Sequence, residues 1–155
     1  CFQNPVSPHW AAEKEDCLID PSKLNLPTRS KLVVIEMAGG LMVPLTRKWL
    51  QIDQLKRWKQ PVLLVARSGL GTLNHTLLSL QALQRRNIPT LGIILNGPIH
   101  EDNPKTLEQF GGVPILAQLP NLNELTAKAL KHYWEEQQLS QTFKRLLRLD
   151  SRFNE

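Results

Sequence analysis

From Lys31 onward the chain alternates short apolar runs with longer stretches of helical periodicity. The runs are "KLVVIE" at 31–36, "PVLLVA" at 61–66, "TLGIILN" at 90–96 and "VPILAQLP" at 113–120. In the first, Leu32 to Ile35 lack polar alternation, which predicts a strand covered on both faces; the others recur as further strands. Between the second and third, "GTLNHTLLSLQALQRRN" sets Leu73, Leu77, Leu80 and Leu83 at helical spacing, with Asn87 near the end, and reads as one amphipathic crossover helix. Strand, helix, strand, repeated over 31–120, predicts an α/β fold: a mostly parallel sheet with crossover helices on both faces.

The flanks are read more coarsely. "SPHWAAEKED" predicts a short helix with Ser7 as N-cap and Pro8 in the first turn. "IDPSKLNLPTRS", with two prolines, completes a loop, short helix and connector region over 1–30. Residues 121–150 predict C-terminal helices, with Leu122, Leu125, Ala129 and Tyr133, then Phe143, Leu146 and Leu147, on the buried side. The 155 residues read as a single α/β domain. Because the chain opens on Cys1 in a loop-like stretch, it reads as a partial domain with its N-terminal part missing.

Composition narrows the function classes. No apolar run approaches the roughly 20 residues of a membrane span, and the start has no signal-peptide pattern, so no membrane partner and a cytoplasmic setting are expected. The formal charge of +5 is spread along the chain except in "FKRLLRLDSR", so no nucleic-acid partner is expected. Cys1 and Cys17 lack metal-ligand spacing and read as reduced thiols. The histidines at 9, 75, 100 and 132 are scattered without zinc spacing.

Three stretches carry candidate chemistry. Glu36 closes the first apolar run and is followed by Ala38, Gly39 and Gly40. Open parallel sheets bind ligands at the carboxyl ends of their strands, and a carboxylate there can hold the magnesium that bridges nucleotide phosphates. Glu36 also reads as an ordinary polar residue ending a strand. In "ARSGLGTLNH", residues 66–75, bare N–H groups at Gly69 and Gly71 would form an anion site at a helix start. Asn74 stands where a dinucleotide fingerprint needs its third glycine, and the same residues also read as a tight turn with Thr72 as N-cap. Asn96, in "LNG", and the Pro120–Glu124 loop are expected on the same sheet edge as Glu36. The Asn96 amide suits the edge of an adenine, although Asn-Gly alone is a good turn.

Taken together, "SPHWAAE", "VVIEMAGGLMVPL", "PVLLVARSGLGTLNHTLLSLQAL", "GIILNG" and "LPNLNEL" resemble the ATP-dependent dethiobiotin synthetases of the P-loop NTPase superfamily, over nearly all of residues 2–126. The resemblance implies a ligase of biotin biosynthesis, in which 7,8-diaminononanoate takes up CO2 as a carbamate, ATP phosphorylates it, and ring closure gives dethiobiotin. It implies Mg2+ on Glu36, and ATP bound by Glu36, Met37, Ala38, Gly39, Asn96, Gly97, Leu119, Pro120 and Glu124. It implies the substrate carboxylate on Gly71, Thr72, Leu73 and Asn74, a helix start lent across a homodimer. The family's glycine-rich phosphate loop ending Gly-Lys-Thr, its catalytic Lys and its metal-binding Asp have no counterpart here, and Met37 stands where the family has Gly. No catalytic residue is therefore assigned, and this chain is expected to be a truncated form with little or no activity alone. Two alternatives stay open: a non-catalytic dimeric or regulatory relic of the same fold, and a separating or positioning ATPase of the same superfamily.

Overall fold

The computed structural model describes residues 1–28 and 33–150, with backbone alone for 147–150. The described residues fall into two compact units, one within 1–60 with 82–88, the other within 61–81 and from 89 to 150.

The first unit contains helix α1 (Pro8–Lys14), a 3₁₀ turn at Pro21–Lys23, strands β1 (Pro44–Thr46) and β2 (Trp49–Leu50), and helix α2 (Gln51–Trp58). β1 and β2 form a short antiparallel hairpin. The Arg47 guanidinium clamps the Glu13 carboxylate of α1 through two hydrogen bonds of 2.7 Å. Pro8 occupies the first turn of α1 as predicted, but the Ser7 side chain makes no cap. Instead the Ser7 carbonyl accepts from the N–H groups of Trp10 and Ala11.

The proline-containing connector is fixed by side chains of α2. Gln54 is fully buried; its amide donates to the Leu24 carbonyl at 2.9 Å and accepts from the Trp49 indole at 3.2 Å. Trp58 donates to the same Leu24 carbonyl at 2.7 Å. Arg57 donates to the carbonyls of Pro21 and Ser22. A segment without a ladder of its own thus has its carbonyls bonded by side chains of a neighbouring helix.

The first predicted strand is not observed. Lys31 and Leu32 lie outside the described residues, and Val33 to Glu36 have no regular structure. Val34 is 89% exposed, against the expectation of a run buried on both faces. An apolar run becomes a strand only where another strand takes its N–H and C=O groups, and none among the described residues pairs with 33–36.

The second unit holds the parallel sheet. Strands β3 (Val62–Arg67), β4 (Thr90–Asn96) and β5 (Ile115–Leu119) lie in the order β3-β4-β5. They are joined by α3 (Thr72–Gln84) and α4 (Asn103–Gly111) and followed by α5 (Ala127–Glu136) and α6 (Leu139–Asp150). The expected mostly parallel α/β sheet is present, with three predicted strands within two residues of their expected limits.

Alternation along β4 sorts the helices onto two faces. Ile93 and Leu95 are fully buried with Leu80 of α3 and Leu107 of α4. Ile94, between them, packs into a second cluster with Ala117, Tyr133 of α5 and Leu139 of α6. Successive right-handed crossovers running the same way put both crossover helices on one face. The opposite face is covered by the C-terminal pair, not by a crossover.

Those C-terminal helices start later than predicted. Residues 121–126 are not helical, Leu125 is 82% exposed, and Thr126 is the N-cap of α5, its hydroxyl accepting from Ala129 N–H at 3.1 Å. Gln138, at φ 51°, then separates α5 from α6.

Gly92 lies where β4 meets the Leu116 side chain, and a methyl group added there would come within 2.4 Å of Leu116 Cγ. Gly92→Ala is expected to cost about 1–3 kcal/mol by overpacking, read from urea denaturation. The Tyr133 hydroxyl donates to the Gln118 carbonyl. Burial, and secondarily the charge of Glu136, hold this phenol above its usual value of 10. The native state therefore keeps this proton longer than the unfolded chain. The stability it confers is complete below pH 10 and is lost as pH rises through the raised value. Tyr133→Phe is expected to remove that alkaline decline, measured as urea midpoints between pH 8 and 11.

Candidate functional site

The predicted site residues divide between the two units, and each group is built separately. In the first unit, Glu36, Met37, Ala38 and Gly39 lie on an irregular loop, with Glu36 exposed. What shapes this loop is Gln51, the fully buried first residue of α2. Its side-chain oxygen accepts from Ala38 N–H at 2.9 Å, and its NH2 group donates to the carbonyls of Ala38 at 2.7 Å and Gly40 at 3.3 Å. The start of α2 is stitched to the same loop through its backbone: Gln51 N–H donates to Val43 O and Ile52 N–H to Leu41 O. One amide side chain thus does for Ala38 what a neighbouring strand would do, bonding its donor and its acceptor together.

Magnesium keeps much of its shell as water and phosphate oxygen and commonly takes only one or two protein carboxylates. Glu36, exposed beside this fixed loop, can supply one. Among the described residues no group of three or more His, Cys, Asp or Glu side chains is arranged to hold a metal.

In the second unit the carboxyl ends of the three strands line up. Arg67 of β3 pairs with Asn96 of β4, and Asn96 with Leu119 of β5. Ser68 N–H donates to Asn96 O at 3.0 Å and Gly97 N–H to Leu119 O at 2.9 Å, carrying the ladder one residue past its formal end. Asn96, Gly97, Leu119 and Pro120 therefore share one edge, with Asn96 exposed; Glu36, expected on the same edge, ends no strand and belongs to the other unit. Glu124 is exposed on the loop between β5 and α5.

The turn from β3 into α3 is Ser68-Gly69-Leu70-Gly71. Gly71 has φ +90°, a value that disfavours other residues, and the chain turns there into the helix. Thr72 is the first helical residue, not the cap; its buried hydroxyl pairs with that of Thr76 at 3.2 Å. The N–H groups of Gly69, Leu70 and Gly71 donate to no backbone carbonyl among the described residues. Leu73 is partly buried against the apolar cluster and Asn74 is exposed. A helix start with bare, exposed N–H groups can receive an anion.

Sequence reasoning missed the residues that brace these edges. Asn103, at the start of α4, donates from its side chain to Ser68 O at 2.9 Å. His100, one of the scattered histidines, accepts through Nδ1 from the N–H groups of Asp102 at 3.2 Å and Asn103 at 3.1 Å, capping α4 in place of the Asp102 side chain. The buried amides of Gln51 and Gln54 have no local sequence signal, since their partners at Ala38 and Leu24 are distant in the chain.

A family model described as an AAA domain matches residues 1–129. The chain is 48% identical over 135 residues to the ATP-dependent dethiobiotin synthetase BioD of Brucella anthropi, covering 87% of this chain and 64% of that protein. It is 45% identical over 126 residues to the enzyme of the same name from Paramagnetospirillum magneticum, covering 81% of this chain and 62% of that protein. Similarity to the biotin biosynthesis bifunctional protein BioCD of Bordetella avium is 47% over 136 residues, which is 88% of this chain and 29% of that protein. The chain thus spans about three-fifths of the length of the two synthetases.

Gln51→Leu keeps the side chain's approximate size but leaves the N–H and C=O of Ala38 without their partner. It is expected to cost about 2 kcal/mol in urea denaturation, and to speed hydrogen exchange at Ala38 more than at strand β4.

Proposed function

Since the chain belongs to the AAA-domain family, with its match over residues 1–129, we propose that it carries the nucleotide-base and substrate-carboxylate parts of a dethiobiotin synthetase. The overall reaction is the ATP-dependent closure of 7,8-diaminononanoate and CO2 to dethiobiotin, performed in the cytoplasm by a homodimer. The observation that carries this reading is the sheet edge of the second unit. There Asn96, Gly97, Leu119 and Pro120 are brought together, and the β3 turn opens onto α3 with bare N–H groups.

Each part has a physical task. The exposed Asn96 amide offers one donor and one acceptor to the edge of an adenine, with Leu119 and Pro120 supplying apolar contact. The N–H groups at Gly69–Gly71 and the positive end of α3 attract the substrate carboxylate, an effect of about 0.3–1 kcal/mol at an exposed helix end. Glu36 would hold Mg2+, whose contribution when bound is to offset negative charge on the nucleotide phosphates. Gln51 fixes the backbone beside Glu36, so that the carboxylate is offered from a defined loop.

Amide-resolved titration with MgATP tests the reading. Saturable shifts are expected at Asn96 and Gly97 with a dissociation constant of about 1 mM, weak because a Gly-Lys-Thr phosphate loop is absent from this sequence. Asn96→Ala should weaken binding about tenfold. Gly69→Asp, at a position with open space for a side chain, should leave ATP binding unchanged while abolishing the shifts that 7,8-diaminononanoate produces at residues 69–74. Failure of ATP to perturb Asn96 and Gly97 at any concentration up to 20-fold above that expected constant, roughly 20 mM, overturns it.

A further inference from the structure

Ser68 is 2% exposed, and its hydroxyl is buried without any hydrogen-bond partner. Its backbone, in contrast, is fully engaged: the N–H donates to Asn96 O, and the C=O accepts from the Asn103 side chain. An unbonded buried hydroxyl is uncommon in proteins and calls for a reason. The reason lies directly against it. Gly97 has φ +129°, and the place where a Cβ on Gly97 would sit is 2.7 Å from Ser68 Oγ. The hydroxyl thus lies against the space that a side chain on Gly97 would take, while Gly97 N–H donates to Leu119 O at 2.9 Å.

The geometry points to Ser68 as a positioning residue for the Asn96–Gly97 corner, acting by bulk and not by hydrogen bonding. Its Oγ is the stop against which the Gly97 backbone seats, while Gly97 N–H is held by the Leu119 carbonyl. Asn96, whose own carbonyl is bonded to Ser68 N–H, is thereby presented at one angle to whatever binds at the edge. Hydroxyl size suits the gap; a methyl leaves Gly97 free to shift. This role deepens the proposed function, since the ligand it serves is the nucleotide base expected at Asn96.

Three variants of the chain separate bulk from hydrogen bonding and from simple structure, with AMP as the probe because it carries the base without a triphosphate. Ser68→Ala is expected to raise the AMP dissociation constant about fivefold. It should also speed amide exchange at Gly97 more than along strand β4, because the stop against its backbone is removed. Ser68→Cys, of similar size and a weak hydrogen bonder, is expected to keep AMP affinity within about twofold of the parent chain. Gly97→Ala should lower the melting temperature, and adding Ser68→Ala should recover part of that loss by removing the 2.7 Å contact.

Unchanged Gly97 exchange in Ser68→Ala overturns the positioning role whether or not nucleotide binds. A Ser68→Cys variant that binds AMP as weakly as Ser68→Ala overturns the role of bulk. If the parent chain does not bind AMP while Gly97 exchange responds as expected, the nucleotide reading fails and the seating of Gly97 stands.

Discussion

Register in the parallel ladder is the constraint on which the second unit depends. With Arg67, Asn96 and Leu119 held side by side, the three strands must end together, and every turn leaving them starts from one edge. The ladder does not stop at the formal strand ends, because Ser68 and Gly97 each donate one bond further along. A slip of one residue would turn Ile93 and Leu95 away from α3 and α4 and bring Ile94 in their place, so burial on both faces of β4 enforces the register that the edge needs. Packing in the interior and chemistry at the rim are thus fixed by the same hydrogen bonds.

Where the ladder exists, the sequence was legible. Unbroken apolar runs at 61–66, 90–96 and 113–120 became β3, β4 and β5, because each finds a neighbour to take its backbone groups. The same signal failed at 31–36. Hydrophobic pattern reports that a segment would gain from burial; it does not report whether a pairing strand is present, and none among the described residues meets Val33 to Glu36. The C-terminal boundary failed for a local reason. Leu122 and Leu125 fit a helical stripe, but Thr126 offers its hydroxyl to Ala129 N–H, and that cap sets the true start.

Candidate chemistry was legible as residue type and illegible as support. Asn96, Gly97 and the Gly69–Gly71 turn could be singled out because strand ends and bare helix starts have local signatures. Gln51, Ser68 and Asn103 could not, since each acts on backbone distant in sequence: 13 residues for Gln51 to Ala38, 35 for Asn103 to Ser68. A buried amide looks like any exposed one until its partners are known.

Two solutions to the same physical demand appear in this chain. A backbone segment held in one conformation needs partners for its N–H and C=O groups, and at 96–97 the partners are other strands, whereas at 38–40 they are the two ends of one glutamine side chain. The ladder is cooperative: each bond is supported by its neighbours and by the apolar clusters on both faces. A single side chain has no such cooperative support: Gln51 alone bonds both the N–H and the C=O of Ala38, and the rest of the loop is tied separately, by Gln51 N–H donating to Val43 O and Ile52 N–H to Leu41 O.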